Sequence, residues 1–164
     1  MSDDEFLKLN RELARETHRS HIESQNSFMR ATVDFALEAI RTATIINGGA
    51  VIACLTFLGA LYGADNGVDK ALSVPVSKAA LSFVTGAVFS GVASGFAYFA
   101  QYCYNRAAEE ARMTWDHPYI EYGDQSKRYN RTGAVWHYAS CAAVIASYLA
   151  TITGLAIAGP AFFL

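Results

Sequence analysis

The chain has 164 residues, a formal net charge of −2, 52% hydrophobic residues and only 17% charged ones, against about 25% charged in an ordinary soluble domain. That balance argues against a general nucleic-acid binder. The placement of the charges argues against a soluble helical bundle: they fill residues 1–41, 65–78 and 106–131 and are absent elsewhere, whereas a wetted helix face repeats them every turn or two.

Residues 1–41 are polar. Ser2 and Glu5 fit a Ser-x-x-Glu capping box that starts a helix, and no Pro or Gly occurs before Asn47. The sequence therefore predicts one continuous helix running into the first apolar stretch. At helical spacing it carries three faces. Phe6, Leu9 and Leu13 lead through Thr17, Ser20 and Ser24 to Ala31 and Phe35. Glu5, Glu12, Glu16 and Glu23 form an acidic stripe. Lys8, Arg11, Arg15 and Arg19, with His18, form a basic one. A helix this polar is marginal alone. It is stable if several copies gather around the first face with opposite stripes bridging neighbours; the simpler alternative is a solvated helix with routine i,i+4 pairs. Arg30, Asp34, Glu38 and Arg41 follow at spacings of three and four, either anchoring at headgroups or forming a charged ring at a pore entrance.

Thr42 to Ala64 holds no charge over 23 positions, and about 20 apolar residues cross a bilayer core. The stretch lies too far into the chain, behind a polar segment, to read as a signal peptide. Asn47-Gly48-Gly49 is its unusual spot: an Asn in hydrocarbon requires a partner across a helix interface or in a wet cavity. Residues 65–78 read as a short outer loop, with Asp65-Asn66-Gly67 as a turn signal and Pro75 as a breaker.

A second span, about 79–105, carries the small residues Gly86, Ser90, Gly91, Ser94 and Gly95, which let transmembrane helices pack closely. Tyr98, Tyr102 and Tyr104 suit an interfacial belt, and the helix is expected to continue to about Trp115. Residues 116–131 are expected to be a loop broken by Pro118 and Gly123. Its aromatic residues are interfacial anchors or a platform that stacks a base, with Lys127, Arg128 and Arg131 on phosphates. The third span, about 135–160, has its own small stripe from Ser140 through Ala143 and Ser147 to Gly154. Cys54, Cys103 and Cys141 fall within or at the ends of the spans and read as packing, not as a disulfide framework.

The expected fold is an all-α integral membrane protein. Residues 1–41 form an N-terminal cytosolic helical region continuous with the first span, and residues 42–164 form a three-span domain. Lys and Arg concentrate before the first span and between the second and third, which predicts a cytosolic N-terminus and a C-terminus on the far side. No P-loop, dinucleotide fingerprint or nucleophile elbow is present. His18 and His21 lack further ligands at zinc spacing, and Asp116-His117 reads as a local cap. Arg131 and His137 resemble only loosely the Arg-and-His spacing of a ribonuclease-like helical family. Neither an enzyme nor a cofactor is expected.

Three helices are too thin to enclose water, so the small stripes and the striped N-terminal helix point to a cyclic homo-oligomer. The leading expectation is a pore lined by Thr17, Ser20, Ser24, Glu38, Arg41, Thr44 and Asn47. Lys8, Arg11, Arg15, His18 and Arg19 would hold an anionic ligand that sets its gate. In architecture the chain resembles the small membrane effectors of bacterial anti-phage defence and is similar in size and layout to the channel-forming effector of the Hailong system. That resemblance implies an inner-membrane ion channel held shut by a short deoxyadenylate ligand on its cytosolic helices and opened on infection. Two other classes fit the same plan, an accessory subunit of a larger membrane complex and a holin-like protein.

Overall fold

The computed structural model describes residues 3–63 and 70–162; Ser2 of the expected capping box and the turn at Asp65-Asn66-Gly67 lie outside them. The elements are α1 (Asp3–Gly63), α2 (Lys70–Glu109), β1 (Ala111–Met113), β2 (Ile120–Tyr122), α3 (Asp124–Ala158) and a closing 3-10 turn over Gly159–Phe162. Three helical stretches are long and apolar enough to cross a membrane: Ala36–Gly63, Leu72–Glu109 and Asp124–Ala158. They overlap the three uncharged runs, consistent with a membrane protein.

The continuous first helix follows from the absence of Pro or Gly up to Asn47. Pro75, expected as a breaker within an outer loop over 65–78, instead lies in the second turn of α2. There its fixed φ suits the helix, and its missing N–H removes a single intrahelical bond. The second helix stops at Glu109, earlier than expected, and the segment read as a loop is largely ordered. Ala111–Met113 pairs antiparallel with Ile120–Tyr122, with Arg112 opposite Glu121. Alternation puts Ala111, Met113, Ile120 and Tyr122 on one face of this hairpin and the charged pair on the other. The third helix begins at Asp124, eleven residues before the expected span. Asp124 complements the positive end of the helix dipole, and Ser126 Oγ donates to Ala107 O at 2.7 Å, tying the start of α3 to the end of α2. Near that end Arg106 Nη1 pairs with Glu109 at 2.8 Å, with its guanidinium over the Tyr129 ring.

The chain divides into two compact units, one of Met1–Ala36 with Ala97–His137 and one of Leu37–Phe96 with Tyr138–Leu164. The second contains the main apolar cluster, in which Phe83, Val76, Ala79, Cys54 and Ala158 pack together. Much of this core is alanine and serine. Small side chains let helix backbones approach where hydrocarbon outside is as apolar as the interior, so packing and interhelical hydrogen bonds replace the hydrophobic effect as the adhesive.

Candidate functional site

In the unit of residues 37–96 and 138–164, the three helices meet around Asn47, which is fully buried. Its Nδ2 donates to Ala43 O at 2.9 Å and to Ser147 Oγ at 3.2 Å, and its Oδ1 accepts from Thr151 Oγ1 at 3.0 Å. Ser147 Oγ in turn donates to Gly86 O at 2.7 Å. One asparagine thus ties α1 to α3, and Ser147 closes the link to α2. Only glycine fits at position 86, because a Cβ there would stand 2.5 Å from Asn47 Oδ1. Thr44 meets Ser90 across the α1–α2 contact at 2.8 Å, and Ser140 Oγ donates to Ala93 O at 2.9 Å. Within one chain, therefore, Asn47 has no open face to offer a bore. Its partner is the helix interface, and its hydrogen-bonding capacity is consumed there.

The opposite side of α1 is open. Arg30, Asp34, Glu38 and Arg41 are all exposed, and none joins an ion pair or side-chain hydrogen bond among the described residues. Arg41 stands one turn before Thr44, close to the level of Ala93 and Ser140. At that level the outward residues of α2 and α3 are uncharged: Val92 and Tyr138 are 42% and 73% exposed. The nearest Asp, Glu, Lys or Arg is Arg106 along α2 and Arg131 along α3, about 20 Å and about 13 Å away at 1.5 Å per residue. At one height this unit presents charge on the α1 side and uncharged side chains on the other two helices. The first span is also the least covered by its own chain, 11% buried against 28% for each of the others.

Glycines sharpen the distinction. At Gly154 and Gly133 an added Cβ would meet Phe83 and Tyr104 within 3 Å, so internal packing requires them. At Gly48, Gly49, Gly59 and Gly63 of α1, and at Gly91 and Gly95 of α2, nothing lies within 4 Å. The small stripe of α2 therefore has two parts: Gly86 and Ser90 pack inside, whereas Gly91, Ser94 and Gly95 face outward.

In the unit of residues 1–36 and 97–137, the hairpin is clasped to α1 by side chains one and two turns apart. Asn10 Nδ2 donates to Trp115 O at 3.0 Å, and its Oδ1 accepts from Tyr119 OH at 2.7 Å. His18 Nε2 lies 2.7 Å from Tyr119 O, and His21 Nε2 lies 3.0 Å from Tyr122 OH. Ala14, between them, is fully buried. Tyr119 has a φ of 61°, a left-handed conformation unfavourable for a side chain of this size. Its N–H, carbonyl and hydroxyl are all engaged: Tyr119 N donates to Asp116 O and Thr114 N donates to Tyr119 O, each at 2.8 Å, beyond the bonds to Asn10 and His18. Asp116 thus supports the turn through its backbone.

Thr17, Ser20 and Ser24 are exposed and line a shallow groove of about 480 Å³ with Leu13, Glu16, His21 and Ile120. Lys8, Arg11 and Arg15 are exposed. His18 is occupied by the hairpin, and Arg19 is held by Glu23 at 2.8 Å, which raises the guanidinium's already high pKa. The clasp itself escapes sequence reading because its partners are about 100 residues apart; the only local signal is the Asn10, Ala14, His18, His21 spacing of one helix face. The side chains of Phe28, Ala31 and Phe35 lie outside the described set. Among the described residues, no group of three His, Cys, Asp or Glu side chains is placed to hold a metal.

No protein-family model matches this chain, and comparison with curated proteins and with solved structures finds no similar one.

Proposed function

We propose that this protein is a homo-oligomeric membrane pore, with α1 of each copy turned towards a shared axis and α2 and α3 turned towards lipid. The observation that carries this reading is the two-sided unit: exposed, unpaired Glu38 and Arg41 on α1 at a height where α2 and α3 expose only uncharged residues. Charge facing hydrocarbon is costly, and a ring of copies with α1 inside removes that cost by giving the charges water and one another. The outward Gly91 and Gly95 of α2 favour the same arrangement, because neighbouring copies approach closely where side chains are small. Around the axis Glu38 and Arg41 form a mixed ring at the mouth, and Thr17, Ser20 and Ser24 border the approach to it. The N-terminus is cytosolic by the distribution of Lys and Arg.

Lys8, Arg11 and Arg15 give the cytosolic helix an anion-binding stripe, and a nucleotide or short oligonucleotide is the ligand class that fits a gating role in bacterial antiviral defence. His18 supports the hairpin in this scheme, beside the stripe. Reconstitution of the full chain in planar bilayers tests the pore: it conducts, and Glu38→Gln with Arg41→Gln shifts its cation-to-anion preference. A chain that passes no current and co-purifies with other membrane subunits instead has the accessory role. Lys8→Gln, Arg11→Gln and Arg15→Gln together abolish binding of a labelled short oligonucleotide; unchanged binding removes the ligand.

A further inference from the structure

The outward face of α1 does not end at Arg41. Steps of three and four residues lead from Glu38 and Arg41 to Ile45, Gly48 or Gly49, Ile52, Thr56, Gly59 and Gly63, all one side of the helix. Ile45 and Ile52 are among its most exposed apolar side chains, at 62% and 68%. Between and beyond them stand Gly48, Gly49, Gly59 and Gly63, for which the chain's own packing has no use: a Cβ at any of the four would touch nothing. Bulk along the middle of this face is concentrated in two isoleucines one heptad apart, about 10 Å along the axis, with Leu55, 59% exposed, at its edge, slender residues on either side and two charged residues before them. Asn47, the polar residue a bore would most plainly use, is withdrawn into the three-helix contact.

Building on the pore reading, we infer that Ile45 and Ile52 form a hydrophobic gate, two apolar rings that close the passage by excluding water. A narrow apolar constriction dewets and stops ions without physically sealing. The glycines above and below leave the lumen wider, so resistance concentrates at the two rings. Thr56 is the first hydroxyl beyond the gate, and its Oγ1 donates to Ile52 O at 2.9 Å, so its proton is used within the helix.

The test is conductance of the full-length chain in planar bilayers. Ile45→Ser and Ile52→Ser each raise the resting current about tenfold or more by wetting the constriction. Ile46→Ser, on another face of the same turn, leaves the current at its original level. In an Ile52→Cys variant, a charged thiol reagent added from the water changes the current within the recording; in an Ile46→Cys variant it does not. If the chain conducts but Ile45→Ser and Ile52→Ser leave the current unchanged, or Ile46→Ser reproduces the rise, the gate is wrong and the pore stands. If neither the original chain nor any serine variant conducts, the pore reading falls with it.

Discussion

Asn47 has a burden unusual for one side chain. It supplies two donors and one acceptor to its own helix and to α3, where Ser147 passes the link on to α2, and each is used inside the protein. Side-chain hydrogen bonds between membrane helices contribute about 0.6–1.7 kcal/mol apiece, so Asn47→Leu, which keeps the branched shape and loses the bonds, costs about 1–3 kcal/mol, read as a lowered unfolding midpoint in detergent. Gly86→Ala is the complementary test. Its Cβ would collide with an amide that cannot step aside without breaking its bonds, a loss of about 1–3 kcal/mol typical of overpacking. Gly48→Ala, with open space around it, does not lower the midpoint of the isolated chain, because Ala favours the helix and meets nothing, and this contrast separates glycines kept for folding from those kept for something outside one copy.

Among the elements, the hairpin between β1 and β2 is the least self-sufficient. Two strands of three residues each are not independently stable, and its turn holds Tyr119 in a left-handed conformation. What keeps it in place is the row of Asn10, His18 and His21 on α1. Asn10→Ala removes two of those bonds at one stroke and costs about 1–2 kcal/mol locally. Hydrogen exchange reports this as faster exchange over residues 111–122 with no change in the amides of residues 76–93; uniform loss of protection across both would show that the hairpin and the apolar unit open together. The groove bounded by Leu13, Ser20, Ser24 and Ile120 exists only while the hairpin is docked, so Asn10→Ala also enlarges exposure of that face of α1.

For the molecule as a whole, the decisive property is the mismatch between what one chain buries and what it exposes. The outward Gly91, Ser94 and Gly95 of α2 and the glycine-lined face of α1 have no partner among the described residues of a single copy. If copies assemble through the small face of α2, Gly91→Leu blocks their approach and shifts the assembly towards monomer by native mass spectrometry from nanodiscs, while helix content by circular dichroism stays the same. A chain that is monomeric before the substitution overturns the cyclic arrangement outright.

Three helical runs were legible from charge placement alone, because hydrocarbon tolerates no scattered Asp, Glu, Lys or Arg and so writes its boundaries into the sequence over long distances. The unbroken first helix was legible for an equally local reason, the absence of Pro and Gly before Asn47. The sequence also marked Asn47 as needing a partner, but Asn47 on a bore and Asn47 in a helix contact look the same along one strand of letters. Only the packing of Ser147, Thr151 and Gly86 around it decided where its hydrogen bonds go. The hairpin was illegible for the same physical reason: three-residue strands carry too little periodicity to announce themselves, and their stability comes from side chains about 100 positions earlier. Membrane solvation acts on each segment separately and can be read locally; hydrogen-bond partners and close helix approach exist only once distant segments meet.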